Sequence, residues 1–282
     1  LFHSVSAFNN AGFALYSDSL IGFVEDGWVS LTVALAVIVG GLGFPVLIEL
    51  VRAPTRPGHW SLHTRLTLTM TWVLLAVGVL AILGLEWSNP ATFGRLDLPG
   101  KLLAGFFQGV MPRSGGFNSV DYGAMEETSW LVTEVLMFIG AGSAGTSGGI
   151  RVTTFAVLAL MISAEARGLP TVNAFRRRIP SGAQRQALAV ALIGLGAVVV
   201  GTMAITALSG LPLSHTLFEA SSAFGTTGLS TGITGQLPQP ARNIVILLMF
   251  LGRTGPITLA TALALREREP RYRYPEERPI IG

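Results

Sequence analysis

Three short segments of the chain combine small polar residues with glycine in a repeated arrangement. In each, a phenylalanine is followed ten residues later by a glycine, and the segments occupy 2–12, 106–116 and 218–228. Glycine permits backbone conformations that other residues avoid, and carbonyl oxygens that face a common axis can replace the water shell of a cation. We therefore predict an ion filter of backbone carbonyls, contributed by Asn10, Ala11, Gly12, Ser114, Gly115, Gly116, Thr226, Thr227 and Gly228.

Each segment is too short to cross a membrane as a helix, since a hydrocarbon core of about 30 Å requires about 20 residues. We interpret each one as a short helix that enters the membrane, followed by an extended chain that returns to the same side. Polar backbone at that depth is tolerated only where it lines a water-filled path or is buried in protein. A single segment would fit an ordinary turn between helices, but three copies in one orientation favour a pore.

A glycine-rich run interrupts the long apolar region 129–163 and is the second candidate for function. We predict that it breaks a membrane helix and forms a mobile gate beneath the filter, because backbone exposed at mid-membrane must line a cavity or be buried. The structural alternative is a kinked helix whose small residues let neighbouring helices approach closely. The gate residues are Gly140, Gly142, Gly145, Gly148 and Gly149.

The first three glycines of this run also have the spacing GxGxxG, with Glu165 twenty residues after Gly145. A membrane-associated dinucleotide-binding oxidoreductase is therefore the competing function. A dinucleotide-binding turn lies between a strand and a helix, whereas apolar sequence of membrane length surrounds this run. The four histidines lack metal-site spacing and no Ser/His/Asp set is arranged for catalysis, so we predict that the chain is not an enzyme.

Two arginines lie inside or beside these elements. Arg253 is the only charge within the apolar region 243–265, where a charge costs about 2.5–3.5 kcal/mol on insertion scales. We expect Arg253 to donate hydrogen bonds to carbonyls of the gate, so that it both blocks the pathway and holds the gate closed. The alternative is a structural arginine that extends to the membrane surface or pairs with another side chain. Arg113 adjoins the filter residues 114–116, and we expect its guanidinium to point away from the axis, toward Glu219.

Long apolar regions are the elements that position these residues. Four of them, 28–51, 66–85, 187–209 and 243–265, carry at most one charge each and are long enough to cross a membrane as helices. Of the 282 residues, 50% are hydrophobic and 12% are charged, about half the charged share of a soluble domain. The sequence predicts an all-α polytopic membrane protein, and the absence of cysteine excludes a disulfide scaffold and a cysteine-ligated metal site.

The basic residues indicate how the chain is oriented in the membrane. Most of the 19 Lys and Arg residues lie in three segments, 52–65, 165–185 and 266–278, which the positive-inside rule places in the cytoplasm. A nucleic-acid-binding patch is the alternative for a basic chain, but whole spans separate these segments, and we predict no nucleic-acid partner. The three arginines at 176–178 could dock an acidic partner surface, although topology alone accounts for them.

The repeats divide the chain into regions. We assign 1–52 to a second repeat that lacks its leading span, 64–165 to a third repeat with the gate, 185–266 to a fourth repeat and 267–282 to a cytoplasmic tail. A ring of carbonyls closes with four segments, so we expect the first repeat to lie before residue 1. Repeats in a single orientation argue against an alternating-access carrier with inverted repeats.

The chain resembles the Trk/Ktr/HKT superfamily of potassium transporters, and within it the membrane subunits of bacterial Ktr systems. The resemblance covers nearly the whole chain and is specific because it rests on several motifs together. The matching stretches are SAFNNAGF (6–13), PRSGGFNSVD (112–121), GAGSAGTSGGIRVTTFAVL (140–158), LFEASSAFGTTGLSTGIT (217–234), FLGRTGPITLA (250–260) and RYPEERPIIG (273–282).

The resemblance implies four repeats around one pore, with one filter glycine in each. Gly12, Gly116 and Gly228 match the second, third and fourth. It also implies that the run 140–149 is the gate and that Arg253, within FLGRTGP, contacts it. Potassium ion is then the substrate, sodium dependence is left open, and the chain itself needs no cofactor. Because no segment has the sequence TVGYG, we expect looser selectivity than in dedicated potassium channels.

The resemblance further implies an assembly. Members of this family are multi-pass proteins of the bacterial inner membrane, surrounded by lipid, that work as homodimers. They bind a cytoplasmic regulatory ring of RCK type, which is a separate chain and binds a nucleotide. The C-terminal tail is expected at the interface between the two membrane subunits.

Overall fold

The computed structural model describes residues 1–264, with side chains described up to residue 255. This part of the chain is almost entirely helical, and the all-α class is confirmed. The predicted tail, 267–282, and its subunit contact lie outside the described residues. The elements are α1 (Phe2–Phe8), α2 (Gly27–Leu42), α3 (Phe44–Arg52), α4 (Leu62–Glu86), α5 (Leu98–Val110), α6 (Glu127–Ile139), α7 (Val152–Ala166), β1 (Asn173–Ala174), β2 (Arg177–Arg178), α8 (Ser181–Ser209), α9 (Leu213–Phe224) and α10 (Gln239–Ala264).

Helices α4 and α8 are the two described straight helices that are long and apolar enough to cross a membrane. They contain 25 and 29 residues and cover the predicted spans 66–85 and 187–209. At the start of α4, the Ser61 hydroxyl accepts a hydrogen bond from Thr64 N–H at 3.2 Å, which satisfies one free donor of the first turn. At the end of α8, Gly210 adopts the left-handed conformation that commonly terminates a helix.

Helices α4 and α5 approach closely because glycine lies on both sides of their contact. A Cβ atom added to Gly78 would lie 3.1 Å from the carbonyl oxygen of Gly109. A Cβ atom added to Gly109 would lie 2.7 Å from the backbone nitrogen of Val79. Small residues of this kind let helix backbones pack against each other in membrane proteins. The contact holds the short helix α5, which leads into the filter residues 114–116, against a full span.

The prediction that 28–51 forms one continuous helix is wrong. The chain bends by 96° between α2 and α3. Gly43, at the bend, has a φ of +90°, and a Cβ atom there would overlap the carbonyl oxygen of Ser143. With 16 residues, α2 is about 24 Å long at 1.5 Å per residue. The bend therefore lies directly against the glycine-rich run 140–149, a contact that the local sequence could not reveal.

The predicted break within 129–163 is present. Helix α6 ends at Ile139 and α7 begins at Val152. The ends of the intervening segment lie together, since Ile150 N–H donates to the Phe138 carbonyl at 3.1 Å and Arg151 N–H donates to the Ile139 carbonyl at 3.0 Å. Residues 140–149, called here the glycine-rich loop, therefore leave the helix and return to nearly the same point.

The three short helices that precede the glycines at 12, 116 and 228 pack against neighbouring helices. Helix α1 packs against α2, α5 packs against α4 and α2, and α9 packs against α6, α8 and α10. Around α9, one apolar cluster joins Ala220 and Phe224 to Val198, Ile205 and Leu248 of the neighbouring helices. The short helices thus have fixed positions, and so do the polar segments that follow them.

Candidate functional site

The three segments predicted to form the filter (10–12, 114–116 and 226–228), called the filter segments below, share one backbone geometry. In each, the first and third residues have a positive φ and the middle residue does not. An alternation of left-handed and right-handed residues turns successive N–H groups to one face of the chain, which leaves the carbonyl groups on the other face. The positive φ values are +52° for Asn10, +70° for Gly12, +73° for Ser114, +77° for Gly116, +47° for Thr226 and +92° for Gly228.

The first residue of each segment is strained. Asn10, Ser114 and Thr226 have side chains, and a positive φ is uncommon for such residues and least favourable for a β-branched one such as threonine. Each such residue costs about 1–3 kcal/mol and persists only where its surroundings fix it. The same strain at equivalent positions of three segments indicates a function that requires this backbone.

The segments meet at their glycines. A Cβ atom added to Gly12 would lie 2.8 Å from the Cα atom of Gly116. One added to Gly116 would overlap the carbonyl oxygen of Thr227. The Thr227 hydroxyl also donates to the Pro112 carbonyl at 3.5 Å, which joins the second and third segments in chain order. The three predicted filter segments are therefore brought together, backbone against backbone.

Each filter segment follows the C-terminal end of a short helix. Helix α1 ends at Phe8, α5 at Val110 and α9 at Phe224, so each end precedes its segment by a few residues. The carbonyl end of a helix carries a partial negative charge. Three such ends beside the converging segments create an environment that favours a cation.

The glycine-rich loop is hydrogen-bonded to two filter segments. The Thr146 hydroxyl donates to the side-chain oxygen of Asn10 at 3.0 Å. Gly148 N–H donates to the Ser114 hydroxyl at 3.4 Å. On its other side the loop contacts the α2–α3 bend, where Gly142 N–H donates to the Gly41 carbonyl at 2.7 Å. The loop therefore lies between the filter and the bend of the neighbouring span.

The arginine that holds the loop is Arg151 and not, as expected, Arg253. Arg151 is buried and donates from Nη1 to the Gly142 carbonyl at 3.3 Å and to the Ser147 hydroxyl at 3.0 Å. Arg253 is exposed and, within the described residues, makes no hydrogen bond to the loop, although it lies within electrostatic reach of Arg151. Arg151 is the only charged residue between Glu134 and Glu165, and this isolation is the signal that could have identified it.

The dinucleotide-binding alternative fails on its structural context. The glycines at 140, 142 and 145 follow helix α6, whereas a dinucleotide-binding turn must follow a strand. The helix after them begins only at Val152. The spacing GxGxxG therefore arises here from a loop between two halves of a broken membrane helix.

The chain matches the TrkH family model, described as a cation transport protein, over residues 1–272. This protein belongs to the TrkH family. The resemblance found in the sequence motifs is thereby confirmed. The competing oxidoreductase function finds no support in this family.

Curated relatives of this TrkH-family chain are named as potassium uptake proteins. It is 43% identical over 282 residues to Ktr system potassium uptake protein B of Bacillus subtilis and 42% identical over 284 residues to the protein of the same name from Vibrio alginolyticus. It is 34% identical over 288 residues to the potassium/sodium uptake protein NtpJ of Enterococcus hirae. The whole chain aligns in each case and spans 63%, 62% and 63% of the respective relatives.

A solved structure has the same fold. The potassium transporter TrkH from Vibrio parahaemolyticus superposes with a TM-score of 0.71 and 18% sequence identity. The match covers 95% of this chain and 57% of the TrkH chain. At this identity the likeness concerns the fold alone, and it agrees with the helical membrane architecture described above.

In this TrkH-family chain, Arg113 does not contact Glu219. Its guanidinium is buried and donates to the backbone carbonyl and to the hydroxyl of Thr71 on α4, both at 3.2 Å. Glu219 instead accepts hydrogen bonds from the hydroxyls of Ser230 and Thr234, the latter at 3.0 Å. The close α4–α5 contact brings Thr71 nearer to Arg113 than any acid of α9, so the expected pair does not form.

Sequence analysis missed Glu86, a fully buried carboxylate at the end of α4. It accepts hydrogen bonds from the Thr92 hydroxyl at 2.6 Å, from the Asn89 side-chain amide at 2.8 Å and from Glu126 N–H at 2.9 Å, and also from the Ser129 hydroxyl. These donors tie the end of α4 to the start of α6. Glu86 therefore fixes the helix that leads into the glycine-rich loop, and its only sequence signal is an acid that directly ends an uncharged span.

Proposed function

We propose that this chain forms part of a gated pathway for potassium uptake across a bacterial membrane. The observation that carries the proposal is the convergence of three segments with the same alternating φ signs, in contact at Gly12, Gly116 and Thr227. Convergent backbone carbonyls suit a dehydrated monovalent cation. Potassium is proposed as the ion because the relatives with 43% and 42% identity are both named potassium uptake proteins.

The filter is proposed to consist of the carbonyl groups at 10–12, 114–116 and 226–228. The helix ends that precede these segments add partial negative charge, and no carboxylate is required to attract the ion. A ring of carbonyls without charged side chains can bind a cation weakly enough to release it, which conduction requires. A fourth segment, outside this chain, would complete the ring.

The glycine-rich loop is proposed as the gate. It touches both Asn10 and Ser114, and Arg151 holds its Gly142 carbonyl. Its glycines have no side-chain packing to lose, and its ends lie together at α6 and α7. Motion of the loop therefore requires only the exchange of a few hydrogen bonds, without rearrangement of the spans.

The wider assembly is also a proposal. A homodimer regulated by a separate cytoplasmic RCK-type ring that binds a nucleotide fits a protein whose relatives belong to a Ktr system. Sodium as a transported or coupling ion is supported by the name of the Enterococcus hirae relative. The arginine-rich segments are assigned to the cytoplasm by the positive-inside rule.

Ion flux into liposomes that contain the full-length protein tests the function. We expect potassium and rubidium to enter faster than sodium, and equal rates for the three ions would contradict a selective filter.

Gly116→Ala should abolish flux, because its Cβ atom would overlap the Thr227 carbonyl oxygen at a φ of +77°. Gly84→Ala is the matched control, since Gly84 lies on α4 and nothing lies within 4 Å of an added Cβ atom.

A further inference from the structure

We propose that the glycine-rich loop clamps the filter through Ser114, so that release of the loop both opens the pathway and weakens the preference for potassium over sodium. This inference rests on the proposed potassium function. It goes beyond a gate that only blocks access, because it makes selectivity depend on where the loop lies.

The three residues that the loop touches are equivalent to one another. Asn10, Ser114 and Thr226 each lie two residues before a filter glycine, and each has a positive φ. The loop donates to Asn10 from Thr146 and to Ser114 from Gly148. Gly148 also lies against Thr226. The loop thus contacts the equivalent first residue of all three filter segments.

Ser114 connects the loop to a neighbouring segment. Its hydroxyl is fully buried, accepts from Gly148 N–H at 3.4 Å, and donates to the carbonyl oxygens of Gly225 and Thr226, both at 3.3 Å. One side chain therefore joins a loop amide to a carbonyl of the proposed filter. If the loop moves away, Ser114 loses the Gly148 donor and keeps only its bonds to the Gly225 and Thr226 carbonyls.

Gly148 lies directly against the third filter segment. A Cβ atom at this position would overlap the Thr226 hydroxyl and would lie 2.8 Å from the Gly225 carbonyl oxygen. This close approach prevents the strained Thr226 from relaxing while the loop is in place. The loop backbone therefore acts as one wall of the filter.

Asn10 is held in a comparable way. It is buried, and its side-chain oxygen accepts from the Thr146 hydroxyl at 3.0 Å. Its side-chain nitrogen has no hydrogen-bond partner within the described residues. The contact with Thr146 is thus the hydrogen bond that fixes this side chain, and loss of the loop would leave it without one.

The consequence concerns the spacing of the carbonyls. Non-glycine residues in the left-handed region persist only where the surrounding structure fixes them. Loss of the loop contacts allows Asn10, Ser114 and Thr226 to leave that region, which would rotate the adjoining carbonyls. Discrimination between ions depends on the number and arrangement of these oxygens. The preference for potassium over sodium should therefore fall when the loop leaves its closed position.

Two substitutions remove the side chains of the clamp without adding bulk. Ser114→Ala removes the hydroxyl and keeps a Cβ atom, so the steric cost of its positive φ is unchanged. Thr146→Val removes the donor to Asn10 in an isosteric side chain. Thr153→Val is the matched control, because the Thr153 hydroxyl binds Ser143 of the loop at 2.6 Å but does not contact the filter.

The measurement is the potassium-to-sodium permeability ratio of the full-length protein in liposomes, together with total flux. Ser114→Ala and Thr146→Val should each lower the ratio by about three- to tenfold, the range expected for one net hydrogen bond, and should raise flux. Thr153→Val should leave both the ratio and the flux at the wild-type values. Thr146→Ser, which keeps a hydroxyl, should restore the ratio.

The outcomes separate this inference from the proposed function. Wild-type protein without a potassium preference would overturn both. A wild-type preference that neither Ser114→Ala nor Thr146→Val reduces would overturn the clamp alone. So would a rise in flux without loss of selectivity in either variant, because opening and selectivity would then be independent. If Ser114→Ala does not fold, the permeability ratios of Thr146→Val and Thr146→Ser test the clamp, and equal ratios in these two variants would overturn it.

Discussion

At the residue scale, the buried arginines near the site bind backbone and hydroxyl oxygens. Arg113 binds Thr71, and Arg151 binds Gly142 and Ser147. Within residues 1–255, neither guanidinium contacts a carboxylate. A guanidinium has five N–H donors in a fixed geometry, which suits the carbonyls that a broken helix leaves unpaired. Arg151 thereby pairs with a carbonyl of the irregular loop, whereas Arg113 joins the segment after α5 to the unbroken helix α4.

Arg151 provides a prediction at this scale. Arg151→Ala removes two hydrogen bonds that hold the glycine-rich loop, and hydrogen bonds to charged groups contribute about 1.5–3 kcal/mol. We expect basal potassium flux to rise by about tenfold or more without the regulatory partner, measured in liposomes. Arg253→Ala should raise it less, because Arg253 does not contact the loop. Arg167→Ala, an exposed arginine after α7, is the control, and equal flux in all three variants would contradict the latch.

Residue identities were more predictable than residue contacts. The three segments proposed as the filter could be singled out because a glycine with its preceding polar residues repeats locally, and local repetition is visible in a sequence. The hydrogen-bond partner of Arg113 could not be predicted, since it depends on which helix packs beside Arg113. Thr71 precedes Arg113 by 42 positions, and only the packing of glycines at 78 and 109 brings α4 and α5 together.

At the element scale, the spans were predicted by hydropathy and their interruptions only in part. The break in 129–163 was predicted because its glycines are clustered in sequence. The 96° bend at Gly43 was not predicted, although Gly40, Gly41 and Pro45 lie beside it. Gly43 packs against the Ser143 carbonyl, one hundred residues away, and no local pattern reveals that contact.

Glu86 supports a prediction about how elements are joined. Glu86→Gln replaces a carboxylate that accepts four hydrogen bonds with an amide, whose nitrogen would face donors. We expect the free energy of unfolding to fall by about 1–3 kcal/mol, the cost of leaving a buried polar group unsatisfied. Thermal unfolding of the full-length protein in detergent measures this change. Glu165→Gln, at the exposed end of α7, should unfold like the wild type, and an unchanged Glu86→Gln would show that the cluster is dispensable.

At the scale of the whole molecule, the contacts define two opposite ends. At one end, the loop at Ser19–Leu20 binds Asn118, since Leu20 N–H donates to the Asn118 carbonyl at 3.0 Å. At the other, the hairpin β1–β2 packs through Val172 and Ile179 against the start of α4. The arginines at 176–178 project from this second end. We therefore expect the two ends to lie on opposite sides of the membrane.

The charge distribution predicts which end faces the cytoplasm. Lysine and arginine are retained on the cytoplasmic side during insertion, and the hairpin end carries Arg176, Arg177 and Arg178, whereas the other end carries Asp18, Glu25 and Asp26. This chain has no cysteine, so a single introduced one reports its own location. Ser17→Cys and Arg177→Cys replace exposed residues at the two ends. A membrane-impermeant maleimide should label Ser17→Cys in intact cells and Arg177→Cys only after permeabilisation, with the full-length protein lacking either substitution as background. The reverse labelling pattern would invert the orientation and would turn the proposed cytoplasmic contact with a regulatory ring to the outside of the cell.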